Sequence, residues 1–289
     1  MAFDFDSYRV KPGANIKLKD IPADPKTDLS KEDAVARLAE LKNELEALQE
    51  ELYAAGKNSA LVIIQGMDTS GKDGAIRHVF GDVNPQGCRV ESFKVPTSEE
   101  LAHDFLWRVH KATPPRGMIT VFNRSHYEDV LIVRVHDLVP RKTWQARYEM
   151  INAFENFLIN HDTIILKFFL HISKAEQEER LLAREADVTK AWKLSVADWR
   201  ERKRWNEYQQ AYEDALEKCS TETAPWYIVP ANKKWFRNLM IAETVVSTLK
   251  TYRSDWHKTL KDMSESRLAE LHAYRAENLG GESPKKAKS

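Results

Sequence analysis

The sequence predicts an α/β protein built as a three-layer, doubly wound parallel sheet with a helical lid. Three observations predict it: short apolar runs that alternate with helical lengths, a glycine-rich loop between the first such run and a helix, and a late cluster of cations and tryptophans that breaks the alternation. Short apolar runs, with amphipathic segments between them, imply βαβ units and a sheet covered on both faces.

Taken in order, residues 9–28 carry Pro12, Gly13, Pro22 and Pro25 among charges with no sustained period, and read as an extended arm. Ser30 then precedes a segment with Val35, Leu38, Leu41, Leu45, Leu48 and Leu52 at spacings of three and four, an amphipathic helix that ends at Gly56. The runs 60–64, 90–95, 118–122, 163–172 and 226–229 read as buried strands. Residues 73–80, 97–111, 126–159, 174–186 and 234–251 read as the helices that follow them. The economical division is an arm and helix over 1–57, a doubly wound domain over 58–253 with a lid near 180–205, and a helical extension with a disordered polar tail over 254–289.

Composition removes several functional classes. Of 289 residues, 44 are Lys or Arg and 44 are Asp or Glu, and a net charge of zero argues against a generic nucleic-acid binder. With 42% apolar residues the chain is no disordered polyelectrolyte, yet its purely apolar stretches fall far short of the roughly 20 residues a membrane span needs. The first residues lack the pattern of a secretory signal. Two cysteines, Cys88 and Cys219, make neither a disulfide framework nor a zinc site, so a reducing cytoplasm is the expected compartment.

After the first strand comes Gly66-Met67-Asp68-Thr69-Ser70-Gly71-Lys72-Asp73-Gly74, the Gly-x4-Gly-Lys spacing of a phosphate-binding loop that joins a strand to a helix N-terminus. Its glycines let backbone N–H groups face an anion, the helix dipole adds partial positive charge, and Lys72 adds a full one. The Ser or Thr that would follow the lysine as a magnesium ligand is replaced by Asp73, which serves either the metal or the helix cap. Asp68 lies inside the loop, where a carboxylate beside phosphate is repelled unless a cation lies between, and is read as a metal ligand.

The third strand ends in Asn123-Arg124-Ser125-His126-Tyr127-Glu128-Asp129-Val130 and should face the same crevice. Asn123 stands where an Asp is usual, so Glu128 and Asp129 either replace it at the metal or form ion pairs with Arg134 or a neighbour; Arg124 is placed to clamp phosphate bidentately. Farther on, Arg184, Lys190 and Lys193 flank the turn 186–189, where a lid of a phosphate-loop kinase brings cations to the transferring group. Trp192 either stacks on a base or anchors that lid, while Arg202, Lys203 and Arg204 read as part of an ordinary charged helix face.

Gly66-Met67-Asp68-x-x-Gly71-Lys72-Asp73-Gly74, Asn84-Pro85-x-Gly87, the run from Phe122 to Val130, Trp192-Lys193-Leu194-Ser195 with Asp198, and Ala224-Pro225-Trp226-Tyr227 closely resemble the polyphosphate kinase 2 family. The resemblance spans about residues 7–250 and is nearest to the class III subgroup, whose members use AMP and ADP. It implies a P-loop kinase-like, thymidylate kinase-like fold, reversible transfer of a terminal phosphoryl group between polyphosphate and AMP, ADP or ATP, dependence on Mg²⁺ with Mn²⁺ as a substitute, and a homo-oligomer, either dimer or tetramer. Class I members carry Asp-Arg-Ser-Trp-Tyr-Asn-Arg where this chain has 123–129, which moves the metal assignment to Asp68 with Glu128 or Asp129.

On this reading Asp68, Lys72, Arg124, Glu128 and Asp129 form the catalytic set. Gly66, Thr69, Ser70, Gly71, Asp73 and Gly74 hold phosphate, with Arg77, Arg184, Lys190 and Lys193 as the basic channel for the polyanion. Phe93, Lys94 and Pro96 beyond the second strand, together with Asn123, Arg124, Tyr127 and Arg134, take the nucleotide. The acceptor oxygen is already ionised at neutral pH, so no general base is required. Two rivals remain: an ATP-dependent nucleoside monophosphate kinase, which would use the same loop and lid, and a non-catalytic phosphate-loop protein.

Overall fold

Strands that are apolar on both faces have to be covered on both faces, and the arrangement of the sheet follows from that demand. The structure, a computed structural model, describes residues 5–187, 189 and 195–278. Five parallel strands, β1 (Ser59–Gly66), β2 (Cys88–Ser92), β3 (Ile119–Asn123), β4 (Thr163–His171) and β5 (Trp226–Pro230), lie in the order β2-β3-β1-β4-β5. Every residue of β1, β4 and β5 is buried. After β1 the chain visits β2 and β3 on one side and then crosses to β4 and β5 on the other, which makes the end of β1 a topological switch point.

Helices flank this sheet. Helix α1 (Lys31–Ala55) starts at Ser30, whose side chain accepts from the Asp33 N–H, and ends at Gly56. Its Leu41, Leu45, Leu48 and Leu52 are buried against α10 (Lys234–Lys250). Ion pairs of Arg37 with Glu243 and of Lys250 with Glu44 border that contact. Helix α2 (Lys72–Phe80) follows the glycine-rich loop, and α6 (Arg141–Ile159) packs on β4.

The arm at 9–28 is not free: the Val10 N–H donates to the Trp226 carbonyl at 2.8 Å, and Leu18, fully buried, donates its N–H to Glu213 Oε1 at 2.8 Å. A turn of 3₁₀ helix at Leu18–Asp20 interrupts its extended course.

Three sequence expectations change. The second strand spans Cys88–Ser92 rather than 90–95 and is an edge, with Val90 49% exposed; Phe93 leaves it to pack edge-on to Phe122 at 4.8 Å between centroids. The segment 97–111 holds two short helices, α3 (Ser98–Leu101) and α4 (Trp107–Ala112), since Thr97 and Glu100 close a capping box and Asp104 then accepts from the Leu106 N–H.

The segment 126–159 begins with a 3₁₀ turn at His126–Asp129 and the single-turn α5 (Ile132–Val135). It reaches α6 only after Asp137, at φ 50°, and Pro140 have ended the first helical run. Helices α7 (Lys174–Glu185), α8 (Val196–Lys203) and α9 (Trp205–Lys218) follow β4, and α11 (Arg253–Asn278) ends the described chain. Helix α9 was hidden behind the charged cluster although its buried Trp205, Tyr208, Ala211, Tyr212 and Ala215 keep helical spacing.

Candidate active site

The loop at the switch point is shaped by what its glycines avoid. A side chain on Gly66 would stand 2.7 Å from Ser70 Oγ and 2.9 Å from the Leu170 carbonyl. Gly71, at φ 97°, precedes α2 in the left-handed region and would drive a Cβ into the Arg237 guanidinium. Lys72 is 7% exposed, and its Nζ donates to the Gly66 carbonyl at 2.7 Å and the Met67 carbonyl at 3.2 Å, spanning the loop.

Two further arginines hold the loop. Arg180 donates through Nη1 to the Thr69 and Ser70 carbonyls, each at 3.0 Å, and through Nη2 to Ala231 and Asn232 at 2.6 and 3.0 Å. Arg237, 2% exposed, reaches the Ser70 carbonyl at 3.4 Å; burial and then Arg180 pull its pKa down to about 10. Nothing in the local sequence around Arg180 or Arg237 marks a side chain aimed at this loop, which for Arg237 lies 167 residues away.

Beyond the loop, a cleft of about 680 Å³ is lined by Asp68, Thr69, Gly71, Lys72, Asp73, Gly74, Arg77, Phe93, Lys94, Asn123, Arg124, Arg184 and Asp198, among others. Five cations face three carboxylates there, so the cleft favours an anion although the whole chain is neutral. Arg124 takes φ 64° directly after β3, and this aims its guanidinium back at the loop: Nη2 donates to Asp68 Oδ1 at 2.7 Å and Nη1 to Glu128 Oε2 at 3.5 Å. Burial pushes the Asp68 carboxyl up, but Lys72 and Arg124 outweigh it and hold the group below the ordinary range. Burial pulls Arg124 down, yet Glu128 and Asp68 leave it above an ordinary arginine. Arg184 donates to Asp198 Oδ2 at 3.1 Å across the cleft wall, and burial, then Asp68, push the Asp198 carboxyl up.

Asn123 donates its Nδ2 to Asp73 Oδ1 at 2.9 Å. An aspartate at 123 would set two carboxylates against each other, so the amide fits a loop that carries Asp73 after its lysine.

The structure does not bring every expected residue to the cleft. Tyr127 is fully buried, with its hydroxyl donating to Glu155 at 2.7 Å; Arg134 donates to Asp214 at 2.6 Å and lies over Trp144. Neither lines the cleft. Asp129 pairs with Arg147 at 2.9 Å, and burial outweighs that arginine to push its carboxyl up; Glu128, not Asp129, meets Arg124, and neither acid lines the cleft. Gly66, Ser70 and Pro96 do not line the cleft, the first two because they form the back of the loop. Arg202 pairs with Glu178 and Arg204 with Glu207, as a charged helix face would. Lys190, Trp192 and Lys193 lie outside the described residues.

Asp68 and Glu128 are hard oxygen donors on one guanidinium, a set that suits Mg²⁺ once substrate phosphates supply the remaining ligands. Among the described residues no three of His, Cys, Asp and Glu gather into a group that would hold a metal unaided.

This loop, with an aspartate inside it and Lys72-Asp73 closing it, sits in a chain whose residues 28–257 match the family model described as polyphosphate kinase 2. The chain belongs to the polyphosphate kinase 2 family. It is 51% identical over 244 residues to the AMP/ADP-polyphosphate phosphotransferase of Meiothermus ruber, covering 84% of this chain and 91% of that one. It is 43% identical over 266 residues to the ADP-polyphosphate phosphotransferase of Rhodopseudomonas palustris, covering 87% and 92%. The fold agrees with the crystal structure of polyphosphate kinase 2 from Arthrobacter aurescens TC1 at a TM-score of 0.81 and 44% identity, over 84% of this chain and 88% of that one. The family assignment agrees with the doubly wound parallel sheet and the glycine-rich loop that the sequence leads one to expect.

One electrostatic consequence is directly measurable. Burial, then Arg124, pull Lys72 down to about 8 against the opposing pull of Asp68, Glu128 and Asp73. The free enzyme therefore loses this charge as pH rises through 8, and kcat/KM for polyphosphate should fall about tenfold per pH unit above it. A profile flat to pH 10 would show Lys72 to be an ordinary lysine.

Proposed function

We propose that the protein transfers the terminal phosphoryl group of inorganic polyphosphate to AMP and to ADP, forming ADP and ATP, in a reversible, Mg²⁺-dependent reaction. The observation that carries this reading is the pairing of Asp68 with Arg124 at 2.7 Å inside a cation-rich cleft at the end of β1. It joins a loop carboxylate to a phosphate clamp, which suits a metal-bridged phosphoanhydride better than a bare anion. The names of the relatives in Meiothermus ruber and Rhodopseudomonas palustris support the same donor and acceptors.

The chain's own residues then divide the work. Lys72 leaves the Gly66 and Met67 carbonyls to meet the phosphate at the loop. Arg124 turns toward the transferring group while Asp68 and Glu128 hold Mg²⁺, which when bound neutralises phosphate charge and orients donor and acceptor. Arg77 and Arg184 guide the rest of the polyanion, and Lys94 with Phe93 receives the nucleotide at the end of β2. No side chain has to remove a proton, because the attacking phosphate oxygen carries none at neutral pH; positioning and charge neutralisation supply the rate.

None of the described helices is long and apolar enough to cross a membrane. We place the reaction in the cytoplasm, a reducing compartment in which Cys88 and Cys219 would stay free thiols. We take the active form to be a homo-oligomer, to which Leu268, Leu271 and Tyr274, exposed on α11, offer apolar surface.

A steady-state comparison of AMP, ADP, GMP and GDP with long-chain polyphosphate and Mg²⁺ tests the acceptors. AMP and ADP should both be phosphorylated; phosphorylation of ADP alone would remove the first of the two steps.

A further inference from the structure

The turn that carries Arg124 and Glu128 rests on a buried polar network that the phosphoryl transfer does not itself use. Lys167, at the centre of β4, is fully buried and donates through Nζ to Glu155 Oε2 at 2.6 Å, to the Tyr127 hydroxyl at 3.0 Å and to the Cys219 carbonyl at 2.6 Å. Glu155, 2% exposed, accepts the Tyr127 hydroxyl on Oε1 at 2.7 Å and stands 3.3 Å from His126 Nε2. A buried ion pair adds little to stability compared with well-packed apolar groups of the same volume. Its presence therefore calls for another reason.

The reason lies in the residues the network grips. His126 and Tyr127 sit between Arg124 and Glu128, and Arg124 holds φ 64°, a conformation that costs a non-glycine residue free energy and persists only where its surroundings over-determine it. The surroundings do so at several points. The Arg124 N–H donates to the Ile64 carbonyl at 3.1 Å, and Ser125 Oγ accepts from Gln65 Nε2 at 3.0 Å and from the Tyr127 N–H at 3.2 Å. Tyr127 supplies the remaining anchor, its ring edge-on to Trp226 and its hydroxyl fixed by Glu155 and Lys167.

We propose that Tyr127 is a positioning residue: its hydroxyl, set by the Lys167–Glu155 pair, fixes the turn so that the Arg124 guanidinium is aimed at Asp68 and at the transferring phosphoryl group. It touches no substrate and acts through Arg124, and so rests on the role given to Arg124 above. This places the residue expected at the nucleotide one step behind the chemistry instead.

Tyr127→Phe keeps the ring and removes only the hydroxyl. It should lower kcat for AMP phosphorylation by between about tenfold and a hundredfold, the range a misplacement of about 1 Å produces. The KM values for polyphosphate and AMP should stay within about threefold and the Tm within a few degrees. In an Arg124→Ala background the same change should have almost no further effect, because residues acting through one another are not additive. Wild-type kcat in a folded Tyr127→Phe, a rise in KM alone, or an equal loss in both backgrounds overturns the proposal.

Should Tyr127→Phe fail to fold, the double variant Glu155→Leu with Lys167→Met, which removes both charges and fills their volume, should fold with the same low kcat. Full activity in it, or failure of both variants to fold, also overturns the proposal. Full activity in Arg124→Ala alone would instead refute the role of Arg124, a separate result.

Discussion

Replacing Lys72 by Ala should lower kcat/KM for polyphosphate by about three orders of magnitude while leaving the protein folded. The size follows from position. Removing a single preorganised neutral donor from a water-poor site costs roughly 10²–10³ in rate, and Lys72 brings a full charge. Several other cations near the loop are committed elsewhere: Arg124 to Asp68 and Glu128, Arg184 to Asp198, and Arg180 and Arg237 to loop carbonyls. The fold should survive because burial already disfavours the charge, as its lowered pKa of about 8 records. Arginine should not restore activity: Nζ fits between the Gly66 and Met67 carbonyls at 7% exposure, where a planar fork has no room. Retained turnover in a folded Lys72→Ala would remove the lysine from the mechanism, and thermal melts beside the kinetics separate that result from unfolding.

Asp68→Asn should cost about 10² in kcat and move two other quantities in opposite directions. The Mg²⁺ concentration giving half-maximal rate should rise, because one of the two carboxylates proposed to hold the ion has lost its charge. Binding of polyphosphate without metal should tighten, because a carboxylate no longer faces the anion and Arg124 is released from its 2.7 Å pair. Titration of the variant with Mg²⁺, beside metal-free binding of polyphosphate, reads both. A loss of activity with unchanged Mg²⁺ dependence would make Asp68 a structural partner of Arg124 only.

Much of this site was legible before the fold was known, for identifiable reasons. The loop announces itself because Gly66 and Gly71 are demanded by backbone geometry and Lys72 by charge, and both constraints act within nine residues. Arg124 was legible because it follows a strand whose end must face the crevice. Beyond it, the sequence has no period to say which way each side chain turns. In the 3₁₀ turn at His126–Asp129, Tyr127 points into the core, Glu128 toward Arg124 and Asp129 toward Arg147. Adjacent residues thus took three different roles. The partners that decide this, Glu155 and Lys167, lie 28 and 40 residues away and read locally as a helix charge and a strand interruption. Arg180 and Arg237 escaped notice for the same reason, since their targets are carbonyls of the loop. The run 90–95, Val-Glu-Ser-Phe-Lys-Val, misled because its polar residues belong to an edge strand, and only the neighbouring β3 settles where pairing ends.

The identity of the phosphoryl donor is the point on which the function turns, and one reaction tests it. With AMP as acceptor, Mg²⁺ present and polyphosphate as the sole donor, ADP and then ATP should accumulate, and ATP offered to AMP without polyphosphate should give no comparable ADP. Phosphorylation of AMP by ATP but not by polyphosphate would contradict this and make the protein an ordinary nucleoside monophosphate kinase.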